Sequence, residues 1–233
     1  APACVIRSAL FGVVKRGRRR YIEKECLAAW GADSISYTGQ RLDQADLDVW
    51  LELLHLGRET TLGETVEFHR YSMLKKLGRL TSGRDWEWLE KSISRMSASS
   101  VEIRAGSKRY FGSLIHEGWI DDETGRYVVI LNPKLSALFK EGYTLQHAEK
   151  RRLLGSQLAK WLAGYIESHR ATQQAPHRIG VAKLKELCGS EARNLKHFRQ
   201  NLRNAVSQLK SQGIIKSWLI TANDTLVMVK TSV

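Results

Sequence analysis

This chain has few of the residues that covalent or redox chemistry needs. It holds three cysteines in 233 residues, Cys4, Cys26 and Cys188. Odd in number and widely spaced, they form neither a disulfide framework nor a zinc-ligand pattern, which fits a reducing cytosol. Cys188 falls in an apolar helical pattern and reads as a small core residue. No apolar run approaches the roughly 18 residues that span a bilayer, and no signal peptide opens the chain. Both absences point to a cytoplasmic protein without membrane contact. No His-x-His occurs among the seven histidines, so a metal-assisted nuclease with a Tyr nucleophile lacks its ligands. There is no Gly-Lys pair anywhere, which excludes a P-loop. Asp43, Asp46 and Asp48 read as a helix cap with a solvated first turn rather than as a metal site. The expectation is a protein that is not an enzyme and takes neither cofactor nor metal.

What is present is basic charge, unevenly spread. The formal net charge is +13. Residues 1–20 carry six Lys/Arg (Arg7, Lys15, Arg16, Arg18, Arg19, Arg20) and no acid. Residues 21–143 carry 16 basic against 19 acidic residues, and residues 144–233 carry 15 against 5. A basic domain of that size points to a polyanion, of which nucleic acid is the commonest. A merely soluble surface would not require such asymmetry. At 42% hydrophobic, the chain can build ordinary cores, and its length suits two domains of about 100 residues. It opens on Ala rather than Met, as a trimmed piece of a longer protein does.

The last third reads as a helix over 146–170, with Leu154, Leu158, Trp161, Leu162 and Tyr165 on one stripe. A loop holding Pro176 follows, then a short strand over 178–180 and a short helix over 181–188. Gly189 ends that helix. Ser190 is read as the cap of a longer helix, Glu191 to Ser211, which Gly213 closes. Strands over 214–221 and 225–230, joined through Ala222, Asn223 and Asp224, form a hairpin. Helix, short strand, helix, tight turn, helix and hairpin make a winged helix.

The first part repeats that order with additions. Strands are expected over 8–14 and 35–38, and a helix over 44–59, capped by Asp43, with Leu47, Trp50, Leu51 and Leu54 inward. Next come a strand over 66–68, a short helix over 72–77 closed by Gly78, and a helix over 84–98. Runs over 101–104, 110–116 and 127–131 read as a three-stranded wing. Gly78 and Gly189 each separate a short helix from a longer one, which suggests a duplicated domain type. The reading is an α+β chain of two tandem winged helices, residues 1–142 and 143–233.

The strongest functional signal is the helix over 191–211. Leu195, Phe198, Leu202, Ala205, Val206 and Leu209 cluster within about 50° of one direction. The other face carries Arg193, Lys196, His197, Gln200, Asn204 and Ser207, flanked by Asn194, Arg199 and Arg203. No acid occurs between Arg193 and Gln212. A solvated face usually mixes Glu with Lys for pairing along the helix. This one offers donors and amides, which base edges and phosphates require. Arg193 suits guanine, Gln200 and Asn204 suit adenine, and Arg199 and Arg203 suit phosphates. Lys216 and Lys230 on the hairpin read either as wing contacts or as solvated cations. The run from Lys15 to Arg20 reads as a DNA-reaching arm or as a loop. The matching helix of the first domain (Arg84, Asp85, Glu87, Glu90, Lys91, Arg95) mixes signs, with Lys75, Lys76 and Arg79 beside it as auxiliary backbone contacts. With its larger sheet and many Trp residues, that domain is a candidate for self-association or for contact with a partner protein.

These residues also carry a resemblance. Arg7-Ser8-Ala9-Leu10-Phe11 heads the chain, and Tyr37-Thr38-Gly39 precedes Leu42-Asp43-Gln44-Ala45-Asp46-Leu47-Asp48-Val49-Trp50. Cys188-Gly189-Ser190 precedes the basic helix, and Gly213-Ile214-Ile215 follows it. In that order they resemble the plasmid replication initiators of the TrfA type, over almost the whole chain. The resemblance implies tandem winged helices that bind direct repeats (iterons) of double-stranded DNA at an origin. It further implies opening of an adjacent AT-rich region and recruitment of host replication proteins, including the replicative helicase and the host initiator. It implies monomers active at the origin, dimers formed through the first domain that limit copy number, and a DNA-reading helix over 191–211. The family's longer members have a further N-terminal region that this chain lacks. The alternative from the residues themselves is a winged-helix transcription regulator bound to one operator.

Overall fold

The computed structural model describes residues 1–231 except 16, 18, 31–33 and 60. Arg16 and Arg18 of the basic run therefore lie outside the described residues.

The first part opens with α1 (Ala3–Ile6) and β1 (Phe11–Gly12). Then come β2 (Tyr21–Leu27), β3 (Ser34–Gln40) and β4 (Leu42–Asp43). The strand expected over 8–14 is only two residues long, because Ser8 and Ala9 turn back on the chain: Ser8 Oγ donates to Val5 O. The strand β2 was hidden from the pattern by its charge (Glu23, Lys24, Glu25) and by a bulge between Ile22 and Glu25.

Helix α2 (Gln44–Leu56) starts at a reciprocal cap. Asp43 Oδ1 accepts from Ala45 and Asp46 N–H at 2.9 and 3.1 Å, while Asp46 accepts from Asp43 N–H at 3.0 Å. Such a box satisfies amides that no turn of helix can reach. Its buried apolar residues are Leu47, Val49, Trp50 and Leu53. Leu51 and Leu54, expected inside, are only half-buried and line a surface groove. Trp50 is fully buried and stacks on Phe11 with centroids 5.6 Å apart.

Next come β5 (Thr65–His69), α3 (Arg70–Lys76) and α4 (Gly83–Ser97). Four strands follow: β6 (Ser100–Ala105), β7 (Lys108–Gly112), β8 (Ile115–Asp121) and β9 (Arg126–Leu131). The expected three-stranded wing is corrected. The run over 110–116 is two strands, not one, parted at Gly112, whose φ of +149° a side chain would resist. There the chain leaves one sheet for another. β6 and β7 complete a four-stranded sheet in the order β2-β3-β6-β7, and the wing is the β8–β9 hairpin, joined by β5 in the order β5-β9-β8.

The chain continues through α5 (Ser136–Lys140), α6 (Ala148–Arg152) and α7 (Gln157–Glu167). The single helix expected over 146–170 is thus two. Ser156 caps α7, its Oγ accepting from Ala159 N–H at 3.1 Å, and Gly155 N–H is taken by Gln208 Oε1 at 2.9 Å. The apolar stripe continues across the break because Leu154 is buried with α7. The last elements are β10 (His177–Gly180), α8 (Val181–Leu187), α9 (Leu195–Ser211), β11 (Ile215–Ile220) and β12 (Thr225–Lys230). The sheet order is β10-β12-β11. Gly78 and Gly189, with φ of +68° and +59°, occupy the same left-handed position after α3 and α8.

Two apolar clusters result, one from Cys4 to Leu138 and one from Leu154 to Met228. They are joined by polar contacts. Trp161 Nε1 donates to Ser8 O at 2.9 Å, and Val13 N–H to Cys188 O at 2.8 Å. Arg151, buried, donates to Asp48 Oδ1 at 2.5 Å, Gln44 Oε1 at 2.7 Å and Lys160 O at 2.8 Å. Among the described residues, no helix is long and apolar enough to cross a membrane.

Candidate nucleic-acid interface

Helix α9 begins four residues later than expected. Asn194, not Ser190, is the cap: its Oδ1 accepts from His197 N–H at 2.9 Å. Gly189 and Ser190 instead close α8, with Gly189 N–H on Glu186 O and Ser190 N–H on Lys185 O. Arg193 therefore stands in the turn ahead of the helix, and Asn194 has its side chain committed to the cap. A Cβ on Gly189 would sit 2.6 Å from Arg41 Nη2, so the turn packs directly on the first domain. Burial pushes the Arg41 guanidinium below its ordinary range, and Glu191 opposes that.

Phe198, Leu202, Ala205, Val206 and Leu209 are buried under α9. Arg193, Lys196, His197, Gln200, Arg203 and Asn204 are exposed. At 100° per residue, Arg199 and Arg203 border one edge of that face and Asn201, Asn204 and Gln208 the other, with Lys196, Gln200 and Ser207 between. The two edges have different surroundings. On the first, Arg199 makes a two-pronged pair with Asp224 of the β11–β12 turn at 2.7 and 3.0 Å. That hydrogen bond raises the Arg199 pKa and lowers that of Asp224. Arg199, expected on a phosphate, has its charge neutralised by the hairpin and anchors it.

The second edge faces a cleft of about 1620 Å³. Asn201, Asn204 and Gln208 line one side, and Arg84, Glu87, Lys91 and Arg95 of α4 line the other, with Lys91 paired to Glu87. Lys15, Arg19 and Arg20 contribute from the basic run. Asn201 was missed in the sequence because it lies next to the apolar stripe. Several cleft cations have partners: Arg19 pairs with Asp43 at 2.7 Å and Arg95 with Asp46 at 2.6 Å. Acids at the start of α2 thereby hold arginines in place along the cleft floor.

The remaining expected contacts are dispersed. Arg79 also lines the cleft, but its guanidinium lies 3.6 Å from the Trp88 ring centroid and 3.3 Å from Asp85. Lys76 faces the other way and pairs with Glu52 at 3.1 Å. Lys75 and Lys216 are exposed, and neither lines the cleft. Lys230 donates to Glu167 O at 3.3 Å and His169 O at 3.4 Å, so it ties the sheet to α7. Ser190 is half-buried in the turn. Among the described residues, no group of three or more His, Cys, Asp or Glu could hold a metal ion.

The family model described as TrfA protein matches residues 1–231. The chain belongs to the TrfA protein family. It is 29% identical over 240 residues to the plasmid replication initiator protein TrfA of Escherichia coli, a match covering 98% of this chain. The chain spans 60% of that relative's length. Among solved structures, domains 2 and 3 of RctB share the fold with a TM-score of 0.70 at 13% identity, covering 100% of this chain and 99% of that one. The Pi initiator protein, solved in complex with iteron DNA, superposes with a TM-score of 0.59 at 14% identity, covering 81% of this chain and 95% of that one. These likenesses are of fold, and the chain has a tandem winged-helix architecture.

Proposed function

We propose that this chain is a plasmid replication initiator that binds direct repeats of double-stranded DNA at an origin. The observation that carries it is the acid-free exposed face of α9, set across a cationic cleft from α4 in a TrfA-family chain. One winged helix offers base-reading amides. The other offers backbone cations, a division of labour that duplex DNA rewards. Binding then promotes opening of an adjacent AT-rich region and brings in the host initiator and replicative helicase. The first domain serves as a homodimer contact. On this reading the chain acts by binding alone, in the cytoplasm, and is not an enzyme.

Footprinting on the origin region of its source plasmid tests the reading. Protection of several evenly spaced direct repeats is the expected result. A single protected operator beside a promoter would make it a transcription regulator instead. If six or more phosphates are neutralised, log K falls against log salt with a slope near −5 or steeper. A nearly flat slope would contradict DNA binding by this cleft.

A further inference from the structure

The turn that leads into α9 is held from outside its own domain. Residues 188–194 join α8 to α9 and carry the exposed Arg193. Three contacts reach this turn from the first domain. Val13 N–H donates to Cys188 O at 2.8 Å, and Lys15 N–H donates to Glu191 Oε2 at 2.9 Å. The third is Arg41, from the bend between β3 and β4, which is only 6% exposed although it carries a charge.

Two glycines make the room for that guanidinium. A Cβ on Gly12 would collide with Arg41 Nη2, and a Cβ on Gly189 would stand 2.6 Å from the same atom. Gly12 belongs to β1 of the first domain, and Gly189 is the left-handed residue of the turn in the second. The planar group thus fills a gap between the two domains that a side chain on either glycine would close. A buried charge is costly unless an opposite charge or hydrogen bonds offset it. Burial lowers the Arg41 pKa and, among its neighbours, Glu191 opposes that shift most. Glu191 lies in the turn itself, so attraction and packing act on the same segment. Arg41 takes no part in lining the cleft, and so little of it is exposed that it has no surface to offer a phosphate.

We propose that Arg41 is a positioning residue: wedged between Gly12 and Gly189, it fixes the turn ahead of α9, so that the first domain sets how sharply the second reads its repeat. The effect runs through Arg193 and the first exposed residues of α9, Lys196 and His197. A two-pronged contact to a base edge needs its side chain held in place by the packing behind it. A phosphate contact from a long flexible cation tolerates more displacement. Loosening the turn therefore reduces discrimination more than it reduces overall affinity. This role rests on the repeat-binding reading above.

Arg41→Met keeps the apolar stem and removes the guanidinium. Gly12→Ala keeps Arg41 but displaces it from the gap, at a position without a left-handed φ. Both full-chain variants are titrated on duplexes carrying one footprinted repeat and on random duplexes. For each, the ratio of the two affinities should fall about tenfold, the discrimination of one bidentate base contact. Affinity for random DNA and its salt slope should match wild type, because Arg41 neutralises no phosphate. Arg41→Lys should recover only part of the ratio, since an ammonium restores the charge without filling a planar gap. In an Arg193→Ala background, Arg41→Met should cost little further discrimination, a result that general loss of folded protein does not produce. Without DNA, amide hydrogen exchange in Arg41→Met should quicken over residues 188–197 and stay unchanged over 202–209. Equal losses on repeat and random DNA, a shallower salt slope, a Lys variant equal to wild type, full additivity with Arg193→Ala, or unchanged exchange at the turn would each overturn the assignment. If wild type does not distinguish the repeat from random DNA, the repeat-binding reading fails, and exchange at the turn still decides whether Arg41 holds it.

Discussion

At the scale of single residues, capping and pairing decide which polar side chains are free to meet DNA. Asn194 spends its side chain on the first turn of α9. Asn194→Ala should cost about 1 kcal/mol in a denaturant titration. Asp224, with φ of +54°, brings its carboxylate onto Arg199. Asp224→Asn keeps the left-handed turn and removes the charge. The pair is screened by solvent, so stability should fall only slightly. The freed Arg199 should strengthen non-specific DNA binding and steepen the salt slope by about one. An unchanged slope would show that Arg199 cannot reach a phosphate.

His177 makes a pH prediction. It lies against His169, its ring centroid 4.3 Å away, under Trp30 and beside Tyr165, whose hydroxyl is 3.0 Å from Nε2. Burial pushes its pKa down to about 4, with His169 and Arg7 adding to the effect. The folded state then refuses a proton that the unfolded chain takes near pH 6.5. Its contribution is complete above that pH and is lost as pH falls towards 4. Melting temperature should decline over this window, and His177→Gln should flatten the decline.

At the scale of elements, α9 was the most readable part of the chain. Its apolar period runs unbroken, and the six residues placed inward lie buried or half-buried. Its start was not readable, because Ser190 and Asn194 are both good caps. The turn closed by Gly189 decided between them. The centre of the exposed face carries the specificity prediction. Gln200→Ala should cost about 1–3 kcal/mol against the cognate repeat and little against random DNA. Arg203→Ala should weaken both about equally, as measured by titration on paired duplexes. Strands were less readable. β2 hides under charge, and the run over 110–116 divides at a glycine between two sheets.

At the scale of the whole molecule, Arg151 joins the two domains. It lies at the end of α6 and bonds to Asp48 and Gln44 across the junction. Arg151→Met should cost about 3 kcal/mol, the low end for breaking a buried pair, because Lys160 still holds Asp48 at 2.5 Å. Calorimetry should then resolve two transitions where wild type shows one. Affinity for the repeat should fall as well, since the walls of the cleft belong to different domains.

The sequence by itself determined the two winged helices, the apolar stripes of their helices and the basic, acid-free surface of α9. Each depends on local periodicity, turn residues and charge, all of which act over a few positions. Tertiary structure alone decided that Asn201 and Asn204 look across a cleft at α4, that Arg199 belongs to Asp224, and that Leu51 and Leu54 line a groove. Those outcomes depend on which surfaces meet, and that is set by contacts such as Trp161 to Ser8 and Arg151 to Asp48, more than a hundred residues apart in the chain.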